Sequence, residues 1–321
     1  MSVYTELTQH ELEVFSKQFD LGPLISFAGV DAGVENTTYF VSFEGRETVL
    51  QIFEEQGFSE VPFFIELNRR LGEDGVPVAI PIANRRGERL FELKDKPAVL
   101  FPRLKGGTVA ERSTEACAQI GAALGQMHRA TAGYQDLKRD NHRWAHWWES
   151  NVDRVLDLVP TAHQATLTDQ VARSKAFVKA AETLPSGLIH GDLFVDNALF
   201  DGQTLSGIID FYNACDGAFV FDLAVTVNDW CSGPDGRLLA EPTRALLSAY
   251  QSARPLSDSE CAQWASALET AALRFWMLRL VALARKREGG PQAPPHVKDP
   301  NDFLQILLAR RNDPQCHLLT D

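Results

Sequence analysis

The chain has 321 residues, more than one ordinary domain needs, so two closely associated lobes are expected. A content of 45% hydrophobic and 23% charged residues is that of a soluble globular protein and excludes a disordered or fibrous chain. The 31 basic and 43 acidic side chains give a formal net charge of −12, which disfavours nucleic-acid binding and docking to anionic membranes. A phosphate ligand would therefore need metal ions and local donors.

The cysteines and the first residues of the sequence indicate a cytoplasmic protein. The five cysteines are scattered without a C-x-x-C pair, which favours neither a disulfide framework nor a zinc site. The first residues lack the basic and apolar stretches of a secretory signal, and no apolar run reaches the length of a membrane-spanning helix.

The first hundred residues have the pattern of a small sheet. Two aromatic and β-branched runs, 37–43 and 47–53, are separated by Glu44-Gly45-Arg46 and predict a hairpin. Residues 60–71 predict a helix, with Pro62 in its first turn. Further short strands are predicted at 78–82, 88–93 and 97–102, between glycines and prolines. Lys105-Gly106-Gly107 is interpreted as a hinge.

From Ser113 onward the pattern is mainly helical, except for a β-like stretch, 184–212, that is rich in glycine and aspartate. The predicted helices are 114–130, 142–157, 164–183, 238–252, 258–286 and 301–311. The fold class is thus α+β, with a sheet N-lobe at residues 1–102 and a helical C-lobe at residues 103–321. A cleft between two lobes is where ligands usually bind.

Residues 190–200 carry the strongest chemical signal. The spacing from His190 through Asp192 to Asn197 is that of the catalytic loop of protein kinases. A carboxylate such as Asp192 can orient an acceptor hydroxyl and take its proton, and Asn197 offers an oxygen ligand for magnesium. Asp210 ends an apolar strand, where a second magnesium ligand would lie. Each residue alone is typical of a turn or a helix cap, but the ordered set predicts phosphoryl transfer.

The sequence resembles the aminoglycoside/choline phosphotransferase family, which has a protein-kinase-like two-lobe fold, and within it the homoserine kinase branch. The resemblance runs nearly end to end and rests on GVENTTYF (33–40), VPFFIEL (61–67), HGDLFVDNALFDG (190–202), GIIDFYNACDG (207–217), FDLAVTVNDWC (221–231), RFWMLRL (274–280) and KDPNDFLQIL (298–307). It implies ATP- and Mg2+-dependent phosphorylation of the side-chain hydroxyl of L-homoserine, a step of threonine biosynthesis. It also implies a monomer or homodimer with a small-molecule substrate and no nucleic-acid or membrane partner.

The resemblance also implies roles for individual residues. Asp192 would be the catalytic base and His190 would brace its loop, while Asn197 and Asp210 would bind Mg2+. The residues assigned to the nucleotide are Gly33, Glu35, Asn36 and Thr37 in the loop over the phosphates, and Phe101 and Arg103 in the hinge segment 99–104 that binds adenine. Gln51 stands where the wider family has a phosphate-pairing lysine, so the α- and β-phosphates lack their expected cation.

The acceptor pocket is less well defined. A zwitterionic amino acid needs a cation for its carboxylate, for which Arg274 and Arg279 are candidates, with a solvated or interlobe-paired helix face as the alternative. The candidates for its ammonium group are Asn213, Asp216, Asn228 and Asp229. Asp222 is interpreted as a helix N-cap that also steadies the catalytic loop.

Three alternatives stay open at this point. The same fold could act on choline, for which the Trp144, Trp147 and Trp148 cluster could form an aromatic cage, or on an aminoglycoside. A non-catalytic nucleotide-binding regulator is suggested by Gln51. His142 and His146 could bind a metal, although the neighbouring tryptophans favour helix packing.

Overall fold

The computed structural model describes residues 4–30, 36–109, 111–289 and 297–312. The chain divides into two compact units. The first contains the residues up to Gly107 together with Leu199–Asp201 and Ser206–Tyr212, and the second contains the remainder. The expected fold class, a small antiparallel sheet followed by a mainly helical region, is confirmed. The lobe boundary at residue 102 and the hinge at residues 105–107 stay predictions.

The first unit is built on one five-stranded antiparallel sheet with the order β1-β2-β3-β5-β4. Its strands are β1 (Leu24–Gly29), β2 (Thr37–Phe43), β3 (Arg46–Ile52), β4 (Phe91–Leu93) and β5 (Lys96–Pro102), and its helices are α1 (Gln9–Ser16) and α2 (Val61–Glu73).

The two faces of this sheet differ in burial because side chains alternate along each strand. Tyr39 and Leu50 face inward and share a hydrophobic core with Leu12 and Phe15 of α1. The opposite face is only half-buried along β2 and β3. Gln51 lies on that face, opposite Thr38 on one side and Val99 on the other.

The predictions for the first unit succeed where a local signal is strong. The hairpin and the helix after it are confirmed. The strand at 78–82 is wrong: apart from one bridge between Val78 and Ile208, this segment is irregular, because Pro77 and Pro81 carry no N–H group for a ladder. The strand at 88–93 is reduced to β4. Strand β1 and helix α1 were not predicted, although the capping box of Thr8 and Glu11 marks the start of α1.

The second unit is dominated by helices. They are α3 (Thr114–Thr131), α4 (Ala145–Val155), α5 (Thr161–Ala181), α6 (Phe219–Trp230), α7 (Ala240–Ala253), α8 (Asp258–Ala262), α9 (Trp264–Glu288) and α10 (Pro300–Asn312). The long helix α9 packs against α4, α5, α6, α8 and α10, and α3 packs along α7. A Cβ at Gly121 would lie 2.1 Å from the carbonyl oxygen of Leu246, so the close approach of α3 to α7 requires glycine there.

Short strands frame the irregular segment between α5 and α6. Strand β6 (Ser186–Ile189) pairs antiparallel with β9 (Cys215–Ala218), and β7 (Ala198–Asp201) pairs with β8 (Thr204–Ile208). The predicted helices of the second unit are confirmed, except that 258–286 is divided into α8 and α9. In the part of the chain that the structure describes, no helix combines the length and apolarity needed to cross a bilayer.

Candidate active site

The loop at residues 190–197 connects β6 to β7, and the carboxylate of Asp222 holds its first two residues. Asp222 of α6 accepts hydrogen bonds from the backbone N–H groups of His190 and Gly191, at 2.8 and 2.7 Å. Gly191 has φ +74°, and a Cβ there would lie 2.9 Å from the carbonyl oxygen of Asn213. The loop can therefore adopt this tight path only with glycine at this position.

Asp222 is fully buried and belongs to a network with His128 and Tyr250. Its Oδ2 lies 3.0 Å from His128 Nε2, and His128 Nδ1 lies 2.8 Å from the hydroxyl of Tyr250. Burial lowers the pKa of His128 although Asp222 opposes this. Burial raises the pKa of Asp222, but its bonds to His128 and Gly191 outweigh this and hold the pKa below its ordinary value. We infer a neutral histidine that donates from Nε2 to an ionised aspartate and accepts at Nδ1 from Tyr250.

The expected role of Asp222 is thus half right. It steadies the catalytic loop, as predicted, but it is not an N-cap, because α6 begins at Phe219 and its N-cap is Ala218. The side chain instead projects from the first turn of the helix, where the helix dipole also favours a negative charge.

Asp192 is half-buried, and its contacts fix both its main chain and its carboxylate. Asn213 Nδ2 donates to Asp192 Oδ2 at 3.0 Å, and Asn197 Nδ2 donates to the main-chain oxygen of Asp192 at 2.8 Å. The backbone N–H of Asp192 lies 3.3 Å from His190 Nδ1, so the buried His190 contacts the loop that it was expected to brace. Because the nitrogen of Asn197 is used within the loop, its amide oxygen remains as a ligand for a hard cation.

Asp210 belongs to the first unit, where it follows β8 and is exposed. Its φ of +64° lies in the left-handed region, which aspartate tolerates better than most residues and which often marks a functional position. The flanking residues are firmly held: Ile208 N donates to Pro77 O at 2.7 Å, and the Tyr212 ring meets Phe53 and Phe64 edge-on at 5.6 and 5.8 Å.

The residues assigned to the nucleotide phosphates fall partly on the first unit. Gly33 and Glu35 lie outside the described residues. Thr37 Oγ1 accepts from the backbone N–H groups of Tyr4 and Thr5, at 2.9 and 3.0 Å, and donates to Glu54 at 2.5 Å. Asn36 Oδ1 accepts from Glu54 N at 3.1 Å. Asn36 Nδ2 is buried and has no acceptor among the residues that the structure describes, so it is available to a ligand.

Glu54 is the centre of this polar cluster. It forms an ion pair with Lys96 and hydrogen bonds with Thr37 and Thr5. Burial raises the pKa of the Glu54 carboxyl, but the hydrogen bonds from Lys96, Thr37 and Thr5 together hold it below its ordinary value. Glu54 is therefore ionised at neutral pH, and it ties the N-terminal segment to the start of β2.

The remaining nucleotide candidates, Gln51, Phe101 and Arg103, belong to the half-buried side of the sheet. Phe101 lies opposite Val49, on the same face as Gln51. The guanidinium of Arg103 stacks over the ring of Phe40 at 3.8 Å and lies 3.5 Å from Glu47. This side of the sheet therefore carries an amide, aromatic rings and a cation.

Arg274 is the most unusual of the acceptor-site candidates. It is 1% exposed, yet its Nε and Nη1 have no acceptor among the described residues. Its Nη2 lies 3.5 Å from the position that a Cβ on Gly191 would occupy, so the guanidinium is directed at the catalytic loop. Burial and the neighbouring charge of Arg143 lower the pKa of Arg274, while Cys215, Asp192 and Asp222 raise it. A buried cation with unused donors is costly unless an anion meets it.

The other acceptor-site candidates are engaged in contacts within the second unit. Asn213 donates a hydrogen bond to Asp192, and the other candidates bind neighbouring helices, loops and strands. Arg279 donates to Asp299 O and Asp302, Asn228 donates to Leu268 O and accepts from Arg310, Asp229 accepts from Val195 N, and Asp216 accepts from Arg139 N and Lys138.

Sequence reasoning missed Arg143, whose Nη1 donates to Asn213 Oδ1 at 2.6 Å. No local pattern marks it, because its partner is 70 residues away. Its neighbours His142 and His146 are exposed, and no group of three or more His, Cys, Asp or Glu side chains among the described residues could hold a metal. Trp148 is fully buried and its ring lies 5.4 Å from Trp144, so the packing interpretation of the tryptophans is confirmed.

Comparison with known proteins identifies the family from the sequence. Residues 26–256 match the model of the phosphotransferase enzyme family. The chain is 41% identical over 318 residues to a homoserine kinase of Pseudomonas aeruginosa, covering 99% of both chains. It is 38% identical over 309 residues to a homoserine kinase of Neisseria meningitidis, covering 96% of this chain and 99% of that one.

Solved structures with the same fold are more distant in sequence. A spectinomycin phosphotransferase in complex with ADP and spectinomycin is 14% identical, with a TM-score of 0.69 over 96% of this chain and 99% of that chain. An amicoumacin kinase in complex with AMP-PNP, Ca2+ and Ami is 17% identical, with a TM-score of 0.68 over 95% and 92%. The family model over residues 26–256 and the relatives of 38–41% identity establish that the chain belongs to the phosphotransferase enzyme family.

Proposed function

We propose that this protein transfers the γ-phosphoryl group of ATP to the side-chain hydroxyl of L-homoserine, forming O-phospho-L-homoserine on the path to threonine in the cytoplasm. The observation that carries the proposal is the state of Asp192, whose carboxylate is held through one oxygen by Asn213 while its loop is fixed by Asp222. The relatives named homoserine kinase, which match over almost the whole chain, support this choice of acceptor.

The chemistry requires little of the protein beyond positioning and charge. Asp192 accepts the hydrogen bond of the acceptor hydroxyl and takes its proton as the oxygen attacks the γ-phosphorus. The bond from that phosphorus to the β–γ bridging oxygen breaks, and ADP leaves. The hydrogen bond from Asn213 Nδ2 to Asp192 Oδ2 helps to orient this carboxylate.

Asn197 and Asp210 are the residues that would bind Mg2+. Both offer oxygen ligands, and the amide nitrogen of Asn197 is already used by the main chain of Asp192, so its oxygen is the atom left for a metal. Bound Mg2+ would neutralise charge on the phosphates. A matched test is Asp210→Ala, which we expect to weaken Mg2+-dependent ATP binding.

The nucleotide is assigned to the half-buried face of the sheet and the loop beside it. Asn36 Nδ2 would donate to a phosphate oxygen, and Thr37 would fix the start of β2 beside it. Gly33 and Glu35 stay candidates for the phosphates. Phe101 and Arg103 would contact the adenine. Gln51 would supply a neutral donor where the wider family has a cation.

Arg274 would bind the carboxylate of the amino-acid acceptor. Its planar guanidinium can meet a carboxylate with parallel hydrogen bonds, and it lies beside Gly191, the residue before the base Asp192. The choline alternative requires an open aromatic cage, whereas Trp148 is fully buried and Trp144 packs on Phe221 with ring centroids 4.7 Å apart. The packing of these tryptophans therefore favours an amino acid over choline as the acceptor.

The experiment is an assay of ADP release with homoserine, serine, choline and an aminoglycoside, each with and without Mg2+. Of these conditions, we expect efficient turnover only when homoserine and Mg2+ are both present. Asp192→Asn should lower kcat by about 10²- to 10⁴-fold, because it removes the proton acceptor. The control is Asp196→Asn on the same loop, an exposed residue paired with Lys298, which should retain activity. Efficient turnover of choline, or full activity of Asp192→Asn, would contradict the proposal.

A further inference from the structure

The carboxamide of Asn213 connects two charged side chains of the second unit. Its Oδ1 lies 2.6 Å from Arg143 Nη1, and its Nδ2 lies 3.0 Å from Asp192 Oδ2. An arginine can only donate and a carboxylate can only accept, so the amide has a single orientation that satisfies both neighbours. Arg143 therefore determines which end of Asn213 faces the catalytic loop.

The segment that carries Arg143 is anchored by contacts that do not involve Asp192. The segment before α4 is bound to β9 and to Ala214, the residue before that strand. Arg139 N donates to Asp216 at 2.8 Å, and Asp216 N donates to Arg139 O at 2.7 Å. Arg139 Nη1 donates to Ala214 O at 2.8 Å. Arg143 N in turn donates to Asn141 Oδ1 at 3.3 Å. Asn213 is thus held by Arg143, and the next residue, Ala214, by Arg139, and neither contact involves Asp192.

The reason Asp192 needs such a partner is the other cation nearby. Arg274 is buried, has unused N–H groups, and lies beside Gly191. A carboxylate that could turn freely would be attracted to that guanidinium and form a buried ion pair. Paired in this way, Asp192 would lose its basicity toward a hydroxyl, and Arg274 would lose its capacity for the acceptor carboxylate.

We propose that Arg143 and Asn213 are positioning residues that hold the Asp192 carboxylate through Oδ2 and so orient it toward the acceptor hydroxyl. This inference rests on the proposed function of Asp192 as the base. Arg143 reaches Asp192 through Asn213. The polarisation of the amide by the cation strengthens its N–H donor toward Asp192.

The test is a set of variants assayed with the best acceptor of the wild-type protein. Asn213→Ala should lower kcat about 10- to 100-fold, since misplacement of a catalytic group by about 1 Å costs this much. Arg143→Met should lower kcat about tenfold, and Arg143→Lys should recover part of the loss because it can still donate one hydrogen bond. KM for ATP should stay unchanged in all of them.

The decisive measurement is the double variant Arg143→Met with Asn213→Ala. Because Arg143 acts through Asn213, the double variant should have the same kcat as Asn213→Ala alone. We call the connection from Arg143 through Asn213 to Asp192 the relay. Losses in kcat that multiply in the double variant would contradict it, as would a rise in KM for ATP as large as the loss in kcat. Arg154→Met, an exposed arginine of α4 paired with Glu288, is the control and should retain kcat.

Asn213→Asp keeps the test valid if the alanine variant does not fold. It preserves size and the acceptor for Arg143 but cannot donate to Asp192, so we expect the same loss of kcat as with alanine. Failure of the relay is distinguishable from failure of the proposed function. If homoserine is not a substrate but another alcohol is, the variants are assayed with that alcohol; wild-type kcat in every variant overturns the relay alone.

Discussion

Glu54 in the first unit and Asp222 in the second unit are ionised carboxylates that each hold a functional segment. They differ in the kind of partner that stabilises their charge. Glu54 in the first unit is part-buried. Its charge is neutralised by the ammonium of Lys96, and two threonine hydroxyls donate hydrogen bonds to it. Asp222 in the second unit is fully buried, and its partners are backbone N–H groups and the neutral His128.

The difference indicates how much each region depends on its carboxylate. A charge near water can exchange its partner for solvent, so an ion pair there contributes modestly. A charge in the interior has only its protein partners, and removing it strands donors that cannot reach water. The catalytic loop should thus be much more sensitive than the nucleotide-side segment.

The largest expected effect is that of Asp222→Ala. This change strands the N–H groups of His190 and Gly191 together with His128, so the free energy of unfolding should fall by about 3–5 kcal/mol. Urea unfolding measures it. Asp235→Ala, an exposed residue, serves as the control and should stay within about 0.5 kcal/mol of wild type. A loss at Asp222 no larger than that of the control would break the comparison.

The corresponding change in the first unit, Glu54→Ala, should lower the free energy of unfolding by about 1.5–3 kcal/mol, the range for hydrogen bonds to a charged group. Adding Lys96→Met should recover part of this loss, since it removes the unpaired cation. Glu92→Ala, exposed on β4, is the control. A loss at Glu54 that exceeds the loss at Asp222 would reverse the proposed ranking.

His128 makes the comparison depend on pH. Its pKa is lowered in the fold, chiefly by burial, so only the unfolded chain takes up this proton as pH falls below about 6.5. The wild-type free energy of unfolding should consequently fall by up to about 1.4 kcal/mol per pH unit from this residue, and His128→Gln should remove that share of the slope. The measurement is urea unfolding between pH 7 and pH 5.

His146→Gln, an exposed histidine on α4, should keep the wild-type slope. The account of a neutral, desolvated His128 would be wrong if His128→Gln and wild type lost stability in parallel over this range.

The smallest expected effect is at Thr37. Thr37→Val removes an acceptor for Tyr4 and Thr5 and a donor to Glu54, so a loss of about 1 kcal/mol is expected. Thermal unfolding measures it, with Ser42→Ala, which removes only an exposed hydrogen bond to Glu47, as control. No change at Thr37 would mean that the N-terminal segment does not stabilise the start of β2.

The elements that the sequence predicted are those whose signals are local. The hairpin at Gly45, the helix with Pro62 in its first turn and the long helices of the second unit all show turn residues, caps or apolar stripes. The strand at 78–82 failed because two prolines outweigh its apolar residues. Helix α1 was missed although the spacing of Thr8 and Glu11 marks its start.

The candidate site divides along the same line. Asp192, Asn197 and Asp210 follow from spacing within 20 residues, and the interpretation of Asp222 as support for the loop was sound. Arg143 and His128 could not be predicted, because each acts on a partner far along the chain: 70 residues for Asn213 and 94 for Asp222. Only the packing of α3, α6 and the segment before α4 brings them together.

The central claim is that Asp192 activates the hydroxyl of homoserine toward ATP. The most direct measurement is 31P NMR of the products formed from ATP, Mg2+ and L-homoserine by wild type and by Asp192→Asn at equal concentration. We predict the phosphomonoester signal of O-phospho-L-homoserine, in step with ADP, from wild type and almost none from the variant. Absence of that signal from active wild type, or its equal growth with Asp192→Asn, would contradict the account.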